Sequence, residues 1–421
     1  MSILIKNSMV FTRDNGFIKS NIFVKDSVIA EISDREPEAD RVIDADGMYS
    51  FPGLIDIHVH LREPGHEYKE TIESGTKAAA KGGFTDICCM PNTEPVNDNS
   101  SVTSFIVKEA LKYGHCNVHP VGSLTKGLAG TEICEYGDLK EAGAKALSDD
   151  GMPVSDSGVM RKAVEYAKAF NLPVICHSEE KSLSGKGVMN EGSVSTRLGL
   201  SGIPDIAESL GVKRDIEIAA LVDHHVHIAH VSTAKSVEII RNARKRNIKV
   251  SAETAPHYFV LTEEAVEGYN TYAKMNPPLR TEEDRLAVIE GLKDGTLNII
   301  ATDHAPHSDE EKLLPFEAAA FGIIGLETSL CLSMNLVFSG IINIEDIPFL
   351  MSINPGKVIG LDNEIYTGNT ANITIVNPDF EWVIDENDFV SKSKNSPFTG
   401  MKVKGVCEFT VCNGKISWSR V

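Results

Sequence analysis

Between Gly53 and about residue 360 the sequence repeats one pattern: a short apolar run, then a stretch with helical periodicity. The expected strands are 54–60, 84–89, 117–121, 144–148, 172–177, 226–230, 248–253 and 298–302. Helical stretches follow them, for example Tyr68 to Lys81, Asp156 to Phe170, Thr233 to Arg246 and Glu282 to Leu292. Strands that alternate with helices pair in parallel, because a parallel neighbour needs a crossover long enough to hold a helix. Eight such units in about 300 residues predict an α/β fold, a (β/α)8 barrel of the TIM type. A doubly wound sheet is the alternative, but it is expected to carry a glycine-rich phosphate turn after its first strand, and none is there.

The two ends of the chain differ from this middle and resemble each other. Short strands are expected at Ile3 to Ile5, Val10 to Phe11, Asn21 to Val24, Val28 to Ile32 and Arg41 to Asp44. The same texture returns at Ile373 to Val376, Lys404 to Val406 and Glu408 to Val411, before the turn Asn413-Gly414. Residues 1–52 and 362–421 are therefore expected to form one small composite β-sandwich, with 53–361 as the barrel domain.

A formal charge of −19 argues against a nucleic-acid partner, since no basic stripe offsets it. The start, Met1 to Lys6, lacks the pattern of a signal peptide. Thr328 to Ile344 carries no charge and approaches spanning length, but three Ser, two Asn and a Gly favour a buried helix over a membrane span. A cytoplasmic protein with no membrane partner is expected. The eight cysteines form no Cys-x-x-Cys pair, which fits reduced, buried thiols in a reducing compartment.

Chemistry in such a barrel sits at the C-terminal ends of its strands. Strand one ends in Asp56-Ile57-His58-Val59-His60-Leu61-Arg62, with the two imidazoles on one face. Strand four ends in Ser148-Asp149-Asp150, strand five in Cys176-His177, strand six in Ala229-His230 and strand eight in Thr302-Asp303-His304-Ala305-Pro306-His307. His177 or His230 alone would read as a core histidine, as do His115, His119, His224, His225 and His257. The set reads differently: imidazoles and carboxylates converging at one barrel mouth suit two divalent metals that share a carboxylate and a hydroxide. Zn²⁺ suits such a donor set first, with Co²⁺ or Mn²⁺ as substitutes. The residues alone leave Asp149 and Asp150 both open as the shared carboxylate.

Asp56 to Gly65 and Thr302 to His307 resemble the two signature motifs of dihydroorotases, in the amidohydrolase superfamily. Met90-Pro91-Asn92-Thr93 and Met275-Asn276-Pro277-Pro278-Leu279-Arg280 resemble that family's other landmarks, and the likeness is strongest to its longer, bacterial class I branch. The resemblance implies the reversible, zinc-dependent cyclisation of N-carbamoyl-L-aspartate to L-dihydroorotate in pyrimidine biosynthesis. It places metal ligands on His58, His60, Asp150, His177, His230 and Asp303, with Asp150 bridging, and one or two Zn²⁺ per subunit. Many amidohydrolases bridge instead with a carbamylated lysine. The nearest strand-four lysine, Lys145, lies five residues before Asp150 and so on the opposite strand face.

On this reading the metal-bridging hydroxide is the nucleophile, and Asp303 is the general acid and base that moves its proton to the departing ring nitrogen. Arg62 offers a guanidinium fork to the substrate's free carboxylate. The resemblance adds Asn92 and His307 to that carboxylate and places Asn276 at the ring's edge. Ser308 to Lys312 reads as a solvated loop or helix start that moves over the substrate. A homodimer is the expected assembly, and the resemblance implies association with aspartate transcarbamoylase for some members. Two rivals stand beside this reading. One is another cyclic-amide hydrolase, a hydantoinase, dihydropyrimidinase or allantoinase, against which Arg62 discriminates. The other is a non-catalytic paralogue scaffolding a pyrimidine-pathway complex, which would be expected to have lost ligands.

Overall fold

Eight parallel strands stand side by side in chain order and curl into a barrel, and the computed structural model that shows them describes residues 2–420. The barrel strands are β1 (Leu54–Val59), β2 (Phe84–Cys89), β3 (Asn117–Gly122), β4 (Ala146–Leu147), β5 (Val174–Cys176), β6 (Val226–Ile228), β7 (Val250–Thr254) and β8 (Ile299–Ile300). Every neighbouring pair is parallel. A bridge between Val59 and His304, with the His60 amide donating to the His304 carbonyl at 2.8 Å, brings the end of β8 back to β1. Each expected strand is present: the second matches its expected bounds, the third and seventh end one residue later than expected, and the others are shorter by one to three residues.

The helices follow from the same local rules. Helix Ser157–Ala169 starts where the Asp156 carboxylate accepts the free amides of Gly158 and Val159. Its buried residues, Met160, Ala163, Val164 and Ala167, recur at helical spacing and face the barrel. The first helix begins at Ile72, later than the periodicity from Tyr68 suggests, because Thr71 and Ser74 form a capping box there. The three residues before that cap, Tyr68, Lys69 and Glu70, stay in the loop over the barrel mouth. The uncharged run after Thr328 forms the short buried helix Ser329–Phe338, and no helix among the described residues is long and apolar enough to cross a membrane.

Two apolar layers result. Residues from successive strands, among them Ile57, Val121, Ala146, Ile175 and Ile299, pack inside the barrel beneath its mouth. A larger cluster fills the space between strands and helices. All eight cysteines are free and buried.

The two chain ends share one mixed eight-stranded sheet. Its long first strand, Ser2–Thr12, breaks register between Ile5 and Ser8 and so pairs with two partners, Arg41–Asp44 before the break and Tyr49–Pro52 after it. Tyr49–Pro52 pairs antiparallel with Ile373–Val376, which is the seam between the N- and C-terminal segments. Ile3, Ile5, Ile22, Ile43, Ile373 and Val411 form a separate core there. The segment 384–401 then leaves this sheet and returns to the barrel mouth, where Asn395 donates to the carbonyls of Ala305 and Gly322 at 3.1 Å each.

Asp86 bolts the composite sheet to the barrel. It is buried on β2 and accepts from His119 (2.8 Å) and Asn117 (3.1 Å) on β3, and from Thr85 (2.8 Å) and Asn363 (2.9 Å). Burial opposes its charge, but the His119 ring and these donors hold its carboxyl below the usual carboxylate range. Asp86→Ala leaves several buried donors without an acceptor and is expected to cost about 3 kcal/mol. A urea midpoint within a few tenths of a molar of the parent's would refute this account of the joint.

Candidate metal centre and substrate cavity

The strand ends bring the polar residues together. His58, His60 and Asp150 form one group whose ligand atoms lie within 4.8 Å of one another, and Asp150, His177 and His230 form a second. Asp150 belongs to both. Its Oδ1 lies 3.3 Å from His58 Nε2, 3.5 Å from His177 Nδ1 and 3.6 Å from His230 Nε2, while its Oδ2 lies 3.4 Å from His60 Nε2. Asp303 Oδ1 lies 3.1 Å from His60 Nε2 and 3.6 Å from His58 Nε2. Asp149, the neighbouring carboxylate, faces elsewhere and accepts from the Leu124 and Thr125 amides and the Thr125 hydroxyl.

These atoms fit divalent metals. His58 Nε2 and Asp150 Oδ1 are buried and have no hydrogen-bond partner, and the inward nitrogens His177 Nδ1 and His230 Nε2 have only each other, at 2.8 Å. Buried polar atoms are rarely left unpaired, and His58 Nε2 and Asp150 Oδ1 face one another at 3.3 Å. With metal–nitrogen bonds of about 2.1 Å, two ligands of one tetrahedral ion sit about 3.4 Å apart, which is the spacing found around Asp150. Burial opposes charge on Asp150, but the surrounding imidazoles, His58 foremost, hold its carboxyl well below the usual range. Asp303 is held low in the same way, by His60 and then His58.

A second ring of residues aims the imidazoles. His58 Nδ1 meets Glu253 Oε1 at 2.8 Å, His60 Nδ1 meets Asn92 Oδ1 at 2.8 Å, and His177 Nε2 meets Glu179 Oε2 at 3.1 Å. In each case an acceptor outside takes the ring proton, so the other nitrogen turns its lone pair inward. Glu253 also receives His227 Nε2 at 3.0 Å; His227 Nδ1 meets Ser251 Oγ at 2.7 Å, and that hydroxyl meets His225 Nε2 at 2.9 Å. A hydrogen-bonded column therefore runs from the lower end of the barrel up to His58.

Beside this cluster lies a cavity of about 300 Å³ lined by Arg62, Asn92, Asn276, Asp303 and His307, together with Lys181, Phe321 and Gly322. Arg62 is almost fully buried. Its Nε donates to the Pro306 carbonyl at 3.1 Å and its Nη2 to His307 Nε2 at 3.2 Å. Burial, with Arg62 and Lys69 alongside, pulls the His307 pKa down to about 3, so the ring is neutral and its Nδ1–H donates to Glu311 Oε2 at 3.1 Å. In this arrangement His307 orients the guanidinium. Asn92 turns its oxygen to His60, which leaves its amide N–H groups for the cavity. Asn276 donates to Glu179 Oε2 at 3.2 Å. Arg62, His230 and Asp303 all have positive φ (63°, 36° and 48°), a conformation that non-glycine residues hold only when their surroundings enforce it.

All ten residues singled out from the sequence thus gather at one barrel mouth. Glu253, Glu179, His227 and Lys181 were not among them. Glu253 carried a usable signal, since it ends the expected seventh strand just as His177 ends the fifth. Of the histidines read as structural, His119 meets Asp86 and His224 donates to the Leu172 carbonyl at 2.8 Å, whereas His225 belongs to the column beneath His58 and His257 is buried close enough to Asp303, His230 and His58 to feel their charge.

Known proteins share this arrangement of the chain. A family model described as "Dihydro-orotase-like" matches residues 47–236. A dihydroorotase of Desulforapulum autotrophicum is 56% identical over 378 residues, covering 90% of this chain and 89% of that protein. A dihydroorotase of Pelobacter propionicus is 47% identical over 424 residues, covering 100% of both. Among solved structures, an L-hydantoinase (dihydropyrimidinase) from Arthrobacter aurescens matches with a TM-score of 0.89 at 26% identity, covering 99% of this chain and 96% of that one.

Glu253→Gln keeps the shape of the second ring but removes its charge. It is expected to weaken metal binding by about 10- to 100-fold, read by titration of the metal-free protein with a chromogenic chelator. Parental affinity in this variant would remove Glu253 from the metal centre.

Proposed function

The chain belongs to the dihydroorotase family, and from that premise we propose that it interconverts N-carbamoyl-L-aspartate and L-dihydroorotate with zinc as its metal. The observation that carries the reading is Arg62. This guanidinium is buried in the cavity wall, yet both of its hydrogen-bond partners, the Pro306 carbonyl and the His307 ring, are neutral, and no carboxylate among the described residues forms an ion pair with it. The nearest carboxylates, Asp303, Asp150 and Glu311, act on it only from a distance; a buried cation without a carboxylate in contact is costly, and a substrate carboxylate arriving there supplies one. The free carboxylate of dihydroorotate does so; a neutral hydantoin or dihydrouracil ring does not.

His58, His60 and Asp303 would hold one zinc and His177 and His230 the other, with Asp150 between them. Zinc in these positions acidifies a water to near neutral pH and draws charge from the carbonyl oxygen it contacts. The chain's own residues do the rest. Arg62 and the Asn92 amide fix the carboxylate, and Asn276 reads the ring edge from the opposite loop. This pins the scissile amide over the carboxylates at the mouth. Asp303 is held ionised by its imidazole neighbours, so it is an acceptor at the start of hydrolysis. The proton it gains is weakly held and passes to the ring nitrogen as the C–N bond opens; cyclisation returns it by the same route. The reading includes a homodimer able to associate with aspartate transcarbamoylase, which light scattering of the zinc-loaded protein with and without that enzyme checks.

The zinc-loaded protein is expected to turn over L-dihydroorotate and to leave hydantoin, dihydrouracil and allantoin untouched; preference for a neutral ring would overturn the proposal. Arg62→Ala should raise KM for dihydroorotate by about 100-fold, as expected for a lost charge-assisted pair, with metal content unchanged. Asp303→Asn removes the proton acceptor and should lower kcat by at least about 1,000-fold. Retention of a tenth of parental kcat would assign proton transfer to another group.

A further inference from the structure

Two lysines that play no part in this chemistry, Lys274 and Lys312, are sealed between the loops that follow β7 and β8, at 2% and 0% exposure. Lys274 Nζ donates to the carbonyls of Phe316 (2.7 Å), Glu317 (3.0 Å) and Ala319 (2.7 Å). Lys312 Nζ donates to those of Lys274 (3.3 Å), Ala320 (2.8 Å) and Gly322 (3.0 Å). Burial pulls their pKa values down to about 8 and about 7, yet three acceptors around each nitrogen call for three N–H donors, and only the ammonium has three. Neither lysine makes an ion pair among the described residues. Their charge is met by backbone carbonyls, so the two cations fix backbone rather than partner side chains.

The carbonyls they gather belong to the segment that forms one wall of the substrate cavity. Lys274 Nζ also lies 4.5 Å from the centre of the Phe321 ring, which faces the cavity. The Gly322 amide donates back to the Lys274 carbonyl at 2.9 Å. Gly322 has φ of 123°, and a Cβ there would meet the Ala305 Cβ at 2.6 Å, so the wall has no slack. At one end of this assembly Lys274 stands two residues before Asn276; at the other, Lys312 stands five residues after His307.

We propose that Lys274 and Lys312 are positioning residues that clamp the 316–322 wall onto the β7 loop and thereby fix the distance across the substrate cavity between Asn276 and His307. The choice of substrate rests on the dihydroorotase reading; the clamp does not. The segment after His307 is then a fixed wall of the cavity and not a lid that closes on the substrate. Preorganisation of this kind lowers the cost of binding, because the wall is already in place when the ring arrives.

Lys312→Met and Lys274→Met keep side-chain length and remove all three donors. In the zinc-loaded protein each should raise KM for dihydroorotate by about tenfold or more with kcat within about threefold of the parent and zinc content unchanged. Hydrogen exchange of the amides at 316–322 should be slow in the unliganded parent, unaltered by dihydroorotate, and about 100-fold faster in either variant. Faster exchange with parental KM would reduce the clamp to a purely structural role and overturn the proposal. So would rapid exchange in the parent that dihydroorotate suppresses, a measurement that needs no variant to fold. If the parent fails to turn over dihydroorotate, the proposed reaction falls, while exchange in the parent and its variants still judges the clamp.

Discussion

A carboxylate shut away from water among four imidazoles is the constraint on which the upper half of this barrel depends. Asp150 has every candidate ligand nitrogen within 3.6 Å of one of its oxygens. Such an arrangement is poor as a hydrogen-bond network, since several of its buried atoms go unpaired, and good as a cradle for cations, which all of these lone pairs can share. A binding site of this kind contributes to folding only when filled, so the apo protein must hold the cradle open with contacts outside it. The strained φ values at Arg62, His230 and Asp303 sit around the same mouth, where packing from below and loops from the side over-determine the backbone.

Those outside contacts reach deep into the barrel. Glu253 accepts from His58 and His227 at once, and the Ser251 hydroxyl joins His227 to His225 below. Asp56, buried on the same strand as His58, receives the amides of His58 and Thr302, and burial raises its carboxyl to about 7. The barrel interior is therefore apolar only in part. A polar thread passes through it, and because each member is already paired, rotating the His58 ring would unpair Glu253 in a region where no water replaces the lost bond. The candidate ligand His58 is thus fixed by residues far below the mouth, not only by its neighbours in the HxH motif.

The barrel was legible because strand and helix periods alternate so regularly that eight units can be counted, and the gathering of the candidate ligands at one mouth was legible because they lie where those strands end. Asp150 was separable from Asp149 only by resemblance, because adjacent aspartates differ in direction and not in composition; the structure turns Asp149 toward Thr125. The second ring was not legible. Glu253, Glu179 and His227 act through partners far away in sequence, and no spacing announces such contacts. The return of 384–401 to the barrel mouth was hidden for the same reason: a loop rich in Ser, Lys and Asn reads as solvent-exposed, and only the fold shows Asn395 bonded to Ala305 and Gly322. The lysine clamp is the extreme case, since a lysine in a sequence is read as surface until its burial is seen.

A hydantoinase with a TM-score of 0.89 to this chain shows that the barrel itself does not choose the substrate. Choice falls to the cavity wall, and there the asymmetry of charge decides. A wall that lacks a cation tolerates a ring with or without a carboxylate, whereas a buried guanidinium left unpaired penalises every neutral ring. The same asymmetry bears on reversibility. The ring form carries one carboxylate and the open form two, so an enzyme working in both directions needs two separate places for negative charge. On the proposed reading Arg62 would provide one at the cavity wall, and the imidazole cluster, once it holds its cations, would provide the other at the mouth. The second carboxylate becomes attackable by the carbamoyl nitrogen only when its charge is neutralised, which the first has no need of. One anion site made of protein and one completed by metal is therefore the division that cyclisation requires.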